Sequence, residues 1–251
     1  MSLSIEDALR EAGVTPATLT ADETRRLDED GYLLLSAVYD DATCERLRGA
    51  FERVAARERG EAGGRESGTR HPRDLPNREP EFLAACLHPR ILAAAHRVLL
   101  RSFRLTQCAG RDPLPGFGQQ GLHADWMPRA KGEPAYVATA ICMLDAFGDD
   151  NGPTRLVPGT HLRAGAVPKP LADPAAHHPD ERRIAGAAGS VLLFNGHLWH
   201  SGTRNDSARS RRALQCVFHA DEVVSPFAES LHDDPASLPP VWQFFLAVPD
   251  R

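Results

Sequence analysis

From about residue 101 onward the chain breaks into short apolar or alternating runs, each of strand length and each ended by turn residues. SFRLTQCAG, GLHADW, AYVATAICML, TRLVPG, SVLLFNG, LWHSG and RALQCVF follow one another, with Asn151-Gly152 and Pro158-Gly159 as punctuation. A strand alternates its side chains between two faces, and a run this short crosses a sheet once before it must turn. Many such strands at this spacing imply a sandwich or a barrel. GYLLLSAV, residues 31–38, adds one more strand from the earlier part of the chain, and no internal repeat is visible.

The first hundred residues obey a different period. In DATCERLRGAFERVA the apolar residues Leu47, Ala50, Phe51 and Val54 fall at i, i+3, i+4 and i+7 behind a capping Asp41, which predicts a helix with one buried face. CLHPRILAAAHRVLL reads similarly after Pro89. Between them, ERGEAGGRESGTRHPRDLPNREP is rich in glycine, proline and charge and almost free of apolar residues, so it is expected to be a mobile loop. A lid over an active site, at 60–80, is the sharper form of that expectation.

With 251 residues, 42% of them hydrophobic and 25% charged, the chain can bury a real core, and one domain is expected. A formal charge of −5 and no basic stripe argue against a nucleic-acid partner. Cys44, Cys86, Cys108, Cys142 and Cys216 are odd in number, widely spaced and without a C-x-x-C, so neither a disulfide framework nor a thiolate zinc site is suggested. The acidic start MSLSIEDALREAG lacks the features of a signal peptide, and no run reaches the ~18 apolar residues of a membrane span. The expectation is a cytoplasmic protein with no membrane partner.

The chemistry gathers in two places. In GLHADW, strand alternation would put His123 and Asp125 on one face and Ala124 on the other, although an H-x-D alone is a weak signal. In NGHLWHSGTRNDSARSRRALQCVF, His200 would face opposite to Trp199, with Arg211 beginning the following strand. Two histidines and one carboxylate on one face of a metal leave three positions open, as in non-haem Fe(II) oxygenases. An arginine facing that space could take a carboxylate in bidentate geometry.

DEDGYLLL, H-A-D, DDNGPTRLVPGTH and HSGTRNDSARSRRA together resemble the phytanoyl-CoA dioxygenase family of Fe(II)/2-oxoglutarate oxygenases, over roughly residues 26–220. That family pairs an H-x-D with a distal histidine followed eleven positions later by an arginine, and Arg211 stands eleven after His200. The resemblance implies His123, Asp125 and His200 as iron ligands and catalytic centre, and Arg211 as the anchor of the distal carboxylate of 2-oxoglutarate. Gln107 and Thr139 are its further co-substrate candidates. The cofactors implied are Fe(II), 2-oxoglutarate and O2, with succinate and CO2 released. Asp125, which related halogenases lack, favours hydroxylation or another oxidation over halogenation. Where relatives place a serine two positions after the distal histidine this chain has Gly202, leaving Ser201, Thr203 or a water to compensate.

The fold implied is mainly β with flanking helices: a double-stranded β-helix, the jelly roll or cupin-like barrel. Its parts would be a helical buttress over about 1–100, a β-helix core over about 101–220 and an extension over about 221–251, all in one domain. The function implied is oxidation of a small molecule, as in natural-product metabolism; the alternative is a cupin-like metal-dependent isomerase or hydrolase, or a non-catalytic small-molecule binder. Trp126, Arg129 and Gln215 are the substrate candidates, each with packing or surface charge as its plainer explanation. Arg155 is read as a surface charge near the barrel mouth, and Arg212 as a salt-bridging residue facing away from the interior. His197 is the rival to His200, and His161 closes a turn. His88, His96, His177, His178 and His219 carry no supporting spacing. Loops 60–80 and 113–121 are expected to choose the substrate, whose identity, like the oligomeric state, is not written in the motifs.

Overall fold

The computed structural model describes residues 3–58, 66–126, 128–223 and 231–246. Helices α1 (Ile5–Glu11) and α2 (Ala21–Glu29) lead into strand β1 (Tyr32–Leu35), followed by the long helix α3 (Asp41–Arg57). Strand β2 (Thr69–Arg70) and helices α4 (Leu75–Arg78), α5 (Glu81–Cys86) and α6 (Pro89–Leu99) complete the first part. Then come β3 (Phe103–Pro113), β4 (Val137–Met143), β5 (Thr154–Leu156), β6 (Arg182–Ile184), β7 (Val191–Asn195), β8 (His200–Gly202), β9 (Ala213–Ala220) and helix α7 (Pro240–Leu246).

The strands form two sheets in the orders β1-β7-β4-β9-β3-β2 and β6-β5-β8, and every pairing between them is antiparallel. This is the jelly roll: a larger sheet and a smaller one facing each other across an interior. Side-chain parity explains the continuous burial of β4, in which all seven residues are buried. Ala138, Ala140 and Cys142 of β4, Val191 and Leu193 of β7, and Leu214, Cys216 and Phe218 of β9 share one apolar cluster with the helices. The alternate residues Ile141, Met143, Leu192, Phe194 and Ala213 join Leu156 and Ile184 of the smaller sheet in a second cluster, inside the barrel. A sheet covered on both faces reads as an unbroken apolar run, which is what AYVATAICML shows.

The helices are the expected buttress. In α3, Leu47, Ala50, Phe51 and Val54 are buried on one stripe, but the cap is Asp40, not Asp41: its carboxylate accepts the Thr43 amide at 2.7 Å. The C-terminal helix α7 belongs to the same layer, with Phe245 fully buried and its ring centroid 5.4 Å from that of Phe103. His161 closes the junction between the helices and the barrel: its Nε2 lies 3.1 Å from the Asp28 carbonyl, and its ring fills the space beside Gly31.

Two expectations are corrected. GLHADW is not a strand; its one sheet-like contact is the isolated bridge between His123 and His200. The expected loop at 58–80 is, over its described residues 66–80, an edge strand and a helical turn. Thr69 and Arg70 pair with Pro113 and Asp112, and Leu75 is fully buried among the helices. A single leucine and a few prolines suffice to dock this segment because its charges pair elsewhere: Arg70 with Glu52 and Asp112, Arg78 with Glu58, and Glu79 with Arg53. Residues 60–65 of the proposed lid lie outside the described residues. No helix among the described residues is long and apolar enough to cross a membrane.

Leu75→Ala should therefore cost about 2–5 kcal/mol in denaturant unfolding, as for a core leucine. A solvated loop would register a change within about 0.5 kcal/mol.

Candidate metal centre and its cavity

The His123 amide donates to the His200 carbonyl at 3.0 Å, and the His200 amide donates to the His123 carbonyl at 2.9 Å. This reciprocal pair lays the two rings side by side, centroids 4.5 Å apart. The chain then turns so that the Asp125 amide donates to the Gly196 carbonyl at 2.8 Å, which brings Asp125 Oδ1 to 3.5 Å from His200 Nε2. One ligand atom from each of His123, Asp125 and His200 lies within 4.8 Å of the other two.

The surroundings orient these groups. His123 Nδ1 lies 3.0 Å from the Gly121 carbonyl and His200 Nδ1 lies 2.9 Å from the Leu198 carbonyl. A carbonyl only accepts, so each imidazole carries its proton on Nδ1 and keeps the Nε2 lone pair free. Asp125 Oδ2 accepts the Thr139 hydroxyl at 2.6 Å, which leaves Oδ1 turned toward the histidines. Burial and the adjacent His200 push His123 down to about 4. Burial opposes a charge on His200 as well, but the Asp125 carboxylate outweighs it and raises His200 above its ordinary value. Against the same burial, His200, His123 and the Thr139 hydroxyl hold the Asp125 carboxyl below the ordinary carboxylate range.

His123 and His200 open onto a cavity bordered also by Arg111, Gln120, Gln215 and Arg211. Arg211 is 2% exposed, its guanidinium carbon stands 4.3 Å from the centroid of the Phe147 ring, and its Nε has no hydrogen-bond partner. Burial, with Arg111 nearby, lowers it to about 9. A buried cation that lacks a full set of acceptors is a receptor for an anion. A chelating acid with a second, distal carboxylate thus fits the room between the two-histidine, one-carboxylate set and Arg211.

Residues 27–213 match the family model for phytanoyl-CoA dioxygenase (PhyH). The chain belongs to that family. It is an Fe(II)/2-oxoglutarate-dependent oxygenase, with Fe(II), 2-oxoglutarate and O2 as its cofactors. The curated dioxygenase trt7 of Aspergillus terreus is 28% identical over 244 residues, covering 87% of this chain and 79% of that one. Among solved structures, HygX of Streptomyces hygroscopicus with nickel and 2-oxoglutarate bound superposes with a TM-score of 0.69 at 20% identity, covering 80% of this chain and 87% of its own. SnoK, a non-heme α-ketoglutarate-dependent carbocyclase from nogalamycin biosynthesis, superposes with a TM-score of 0.67 at 23% identity, covering 88% and 87%. The cupin-like isomerase, hydrolase or binder is set aside by family membership, and it would have no use for Arg211.

Of the residues singled out from sequence, His123, Asp125, His200, Arg211 and Gln215 meet around this PhyH-family cavity. Four assignments change. Thr139 is a holder of Asp125, fully buried behind it, and does not border the cavity. Gln107 faces the interior opposite Val217 but is not among the residues around Arg211. Arg129 is not free for a substrate anion: Nε and Nη2 donate to the Glu133 carbonyl at 3.1 and 2.7 Å, and Nη1 donates to the His161 carbonyl. Arg155 is no surface charge, being 0% exposed, and it donates to Ser201 Oγ and the carbonyls of Gln120 and Ala176 at 2.7, 2.9 and 2.7 Å.

Trp126 stands at the rim against Tyr136 and His219. Arg212 is paired with Asp145 and Glu52, as a residue facing out should be. His197 is buried but outside the ligand cluster. Arg111, Gln120 and Thr154 border the cavity and were missed, although QQG immediately before the H-x-D was a usable signal for Gln120. The departure at Gly202 also has its explanation. A Cβ there would lie 2.7 Å from the Gly118 carbonyl oxygen and 3.1 Å from Arg111 Nη2, and Gln120 Oε1 accepts the Gly202 amide at 3.0 Å. Neither Ser201 nor Thr203 takes the vacant role, because Ser201 serves Arg155 and Thr203 donates to the Pro153 carbonyl. The second cluster of metal-binding residue types, Cys86, Cys108 and Cys216, lies in the apolar core, where the hydrogen bond with Cys216, together with burial, pushes the Cys108 thiol well up and keeps it neutral.

The pH dependence of metal affinity follows from these shifts. A protonated imidazole cannot bind metal, and only His200 is raised, so below its pKa one proton must leave for each ion bound. The apparent Fe(II) affinity should fall about tenfold per pH unit from there down to about 4, where His123 adds a second proton. Calorimetry in buffers of different ionisation enthalpy would count the protons. In parallel titrations His123→Ala, Asp125→Ala and His200→Ala should lose tight Fe(II) binding while His197→Ala keeps it; the reverse result for the two histidines at 197 and 200 would disprove the ligand assignment.

Proposed function

We propose that His123, Asp125 and His200 hold Fe(II), that Arg211 anchors the distal carboxylate of 2-oxoglutarate, and that the enzyme hydroxylates a C–H centre of a small molecule. The observation that carries this is Arg211, a guanidinium 2% exposed with an unpartnered Nε, opening into the same cavity as His123 and His200. When bound, Fe(II) with 2-oxoglutarate and O2 supplies the oxidation, with succinate and CO2 as co-products. The chain does the rest. The Gly121 and Leu198 carbonyls keep both imidazoles in the tautomer that presents Nε2, Thr139 fixes the carboxylate rotamer of Asp125, and Phe194 and Ile141 exclude water from one side. Gln120, which accepts the Gly202 amide, completes the polar wall beside Arg111.

Retention of Asp125 supports an oxygenation outcome, since a third protein ligand leaves no position for a halide. SnoK is named a carbocyclase, which shows that relatives of this fold end the reaction in more than one way. Hydroxylation is the outcome proposed here, on the retention of Asp125 beside the two histidines. Its setting would be small-molecule metabolism inside the cell, in the oxidative tailoring of a natural product.

Adding 2-oxoglutarate to the anaerobic Fe(II) protein should produce a weak visible charge-transfer band. Arg211→Leu should bind Fe(II) nearly as well as the parent yet require far more co-substrate, because removing one side of a buried charge pair costs about 3–5 kcal/mol. That is a loss of roughly two to nearly four powers of ten in affinity. An unchanged affinity would remove Arg211 from the site. Asp125→Gly should lose most oxidation, read as succinate release with a screened substrate, and undiminished turnover would show that Asp125 is not a ligand.

A further inference from the structure

The interior face that carries the candidate centre continues beyond it, and its next row holds a histidine that neither the ligand set nor the co-substrate cavity uses. Along β9 the residues on that face are Ala213, Gln215, Val217 and His219. Val217 stands opposite Thr139, the holder of Asp125, and His219 stands opposite Val137 one row further out. The His219 ring is 6.3 Å from Trp126 at an interplanar angle of 66°, and Trp126 is 5.5 Å from Tyr136. Three half-buried rings thus flank the chain segment that delivers Asp125.

A local irregularity fixes the chemistry of that histidine. The pairing of β3 with β9 slips between Leu105 and Gln107, so Thr106 is the extra residue of a β-bulge. Bulges re-aim a side chain and occur beside active sites. Here the buried Thr106 hydroxyl donates to the Val217 carbonyl at 3.1 Å and lies 2.6 Å from His219 Nδ1. A hydroxyl has one proton to give. With that proton on the Val217 carbonyl, the oxygen would accept from His219, and Nδ1 would carry the ring proton with the Nε2 lone pair left free. Burial pushes the imidazole down to about 4, which keeps the ring neutral at pH 7.

We propose that His219 is a substrate-recognition residue whose Nε2 accepts a hydrogen bond from a hydroxyl or N–H of an uncharged, ring-containing substrate lying against Trp126. The proposal rests on the oxygenase reading of this barrel. A lone pair at this position repels carboxylates and phosphates and accepts from a hydroxyl or N–H donor. Because one row on a strand is about 7 Å, the donor sits close to the reacting carbon on the substrate and not on a distant arm.

Two measurements test it. In metal-free protein labelled with 15N in its imidazoles, long-range 1H–15N spectra should show His219 protonated at Nδ1; a ring protonated at Nε2 would overturn the proposal. In the nickel-loaded protein with 2-oxoglutarate, which does not turn over, 2-naphthol should bind roughly three- to tenfold more tightly than 2-methoxynaphthalene, the worth of one neutral hydrogen bond. The ratio should fall to about one in His219→Phe, which keeps a ring at the rim, and should shrink in Thr106→Val, which frees the imidazole to rotate. Equal binding of the two naphthalenes by the parent, or a ratio unchanged in His219→Phe, would overturn it. The spectra need neither metal nor co-substrate, so failure here is distinct from failure of the oxygenase reading, which the Fe(II)–2-oxoglutarate band decides.

Discussion

The reciprocal pair of backbone hydrogen bonds between His123 and His200 is the constraint on which the rest of the centre depends. It joins an irregular loop to a three-residue strand, and it does so at the two residues whose side chains must converge. Because the bonds are between main-chain groups, the relative placement of the two imidazoles does not rely on the side chains themselves. The loop is then free to leave sheet geometry at once, and the Asp125 amide finds the Gly196 carbonyl instead of a strand partner. A continued strand would have carried Asp125 onward in line; the turn brings its carboxylate back toward His200. What looks like a defect in the sheet is the reason three ligands come from a sequence as short as H-A-D and one distant histidine.

A second theme is the handling of buried guanidinium groups. Arg155 and Arg211 are both almost fully enclosed, yet they differ in what surrounds them. Arg155 donates to Ser201, to two carbonyls and, at 3.2 Å, to Glu181, so its charge is compensated and it acts as a rivet between the smaller sheet and the approach to the H-x-D. Arg211 rests on the Phe147 ring with Nε unpartnered, and only its backbone amide reaches Asp112. Uncompensated burial is expensive, and a protein tolerates it where a ligand completes the site. Arg111 lies between these cases, bordering the cavity while paired to Glu66 at 2.8 Å. Gly202 makes that arrangement possible, because any side chain there would meet Arg111 and the Gly118 carbonyl.

Much of this was legible in the linear order of residues. The change from a helical to a strand period near residue 101, with turn residues between the short strands, pointed to a sandwich or barrel. The ligand types pointed to a non-haem iron centre, because a two-histidine, one-carboxylate set is a property of residue type, and the eleven-residue step from His200 to Arg211 pointed to a carboxylate anchor through the family resemblance. The stripe of α3 and the outward face of Arg212 were readable for the same reason.

The misjudged residues share a different property: their roles depend on a partner far away in the chain. Thr139 could be placed on an interior face, but that it holds Asp125 depends on where a non-strand loop folds back. Arg155 looked like a loop charge because its partners, Gln120, Ala176 and Glu181, come from three separate segments. The segment at 66–80 looked unable to pack, yet one leucine and a set of cross-chain ion pairs dock it. His219 carried no spacing signal at all, since its orientation comes from a bulge in the neighbouring strand. The sequence by itself thus determined the periods, the faces and the ligand types, which are local consequences of backbone geometry. Only the tertiary structure decided register, bulges and the pairing of buried charges, because these are settled by hydrogen bonds and contacts between segments that no local pattern relates.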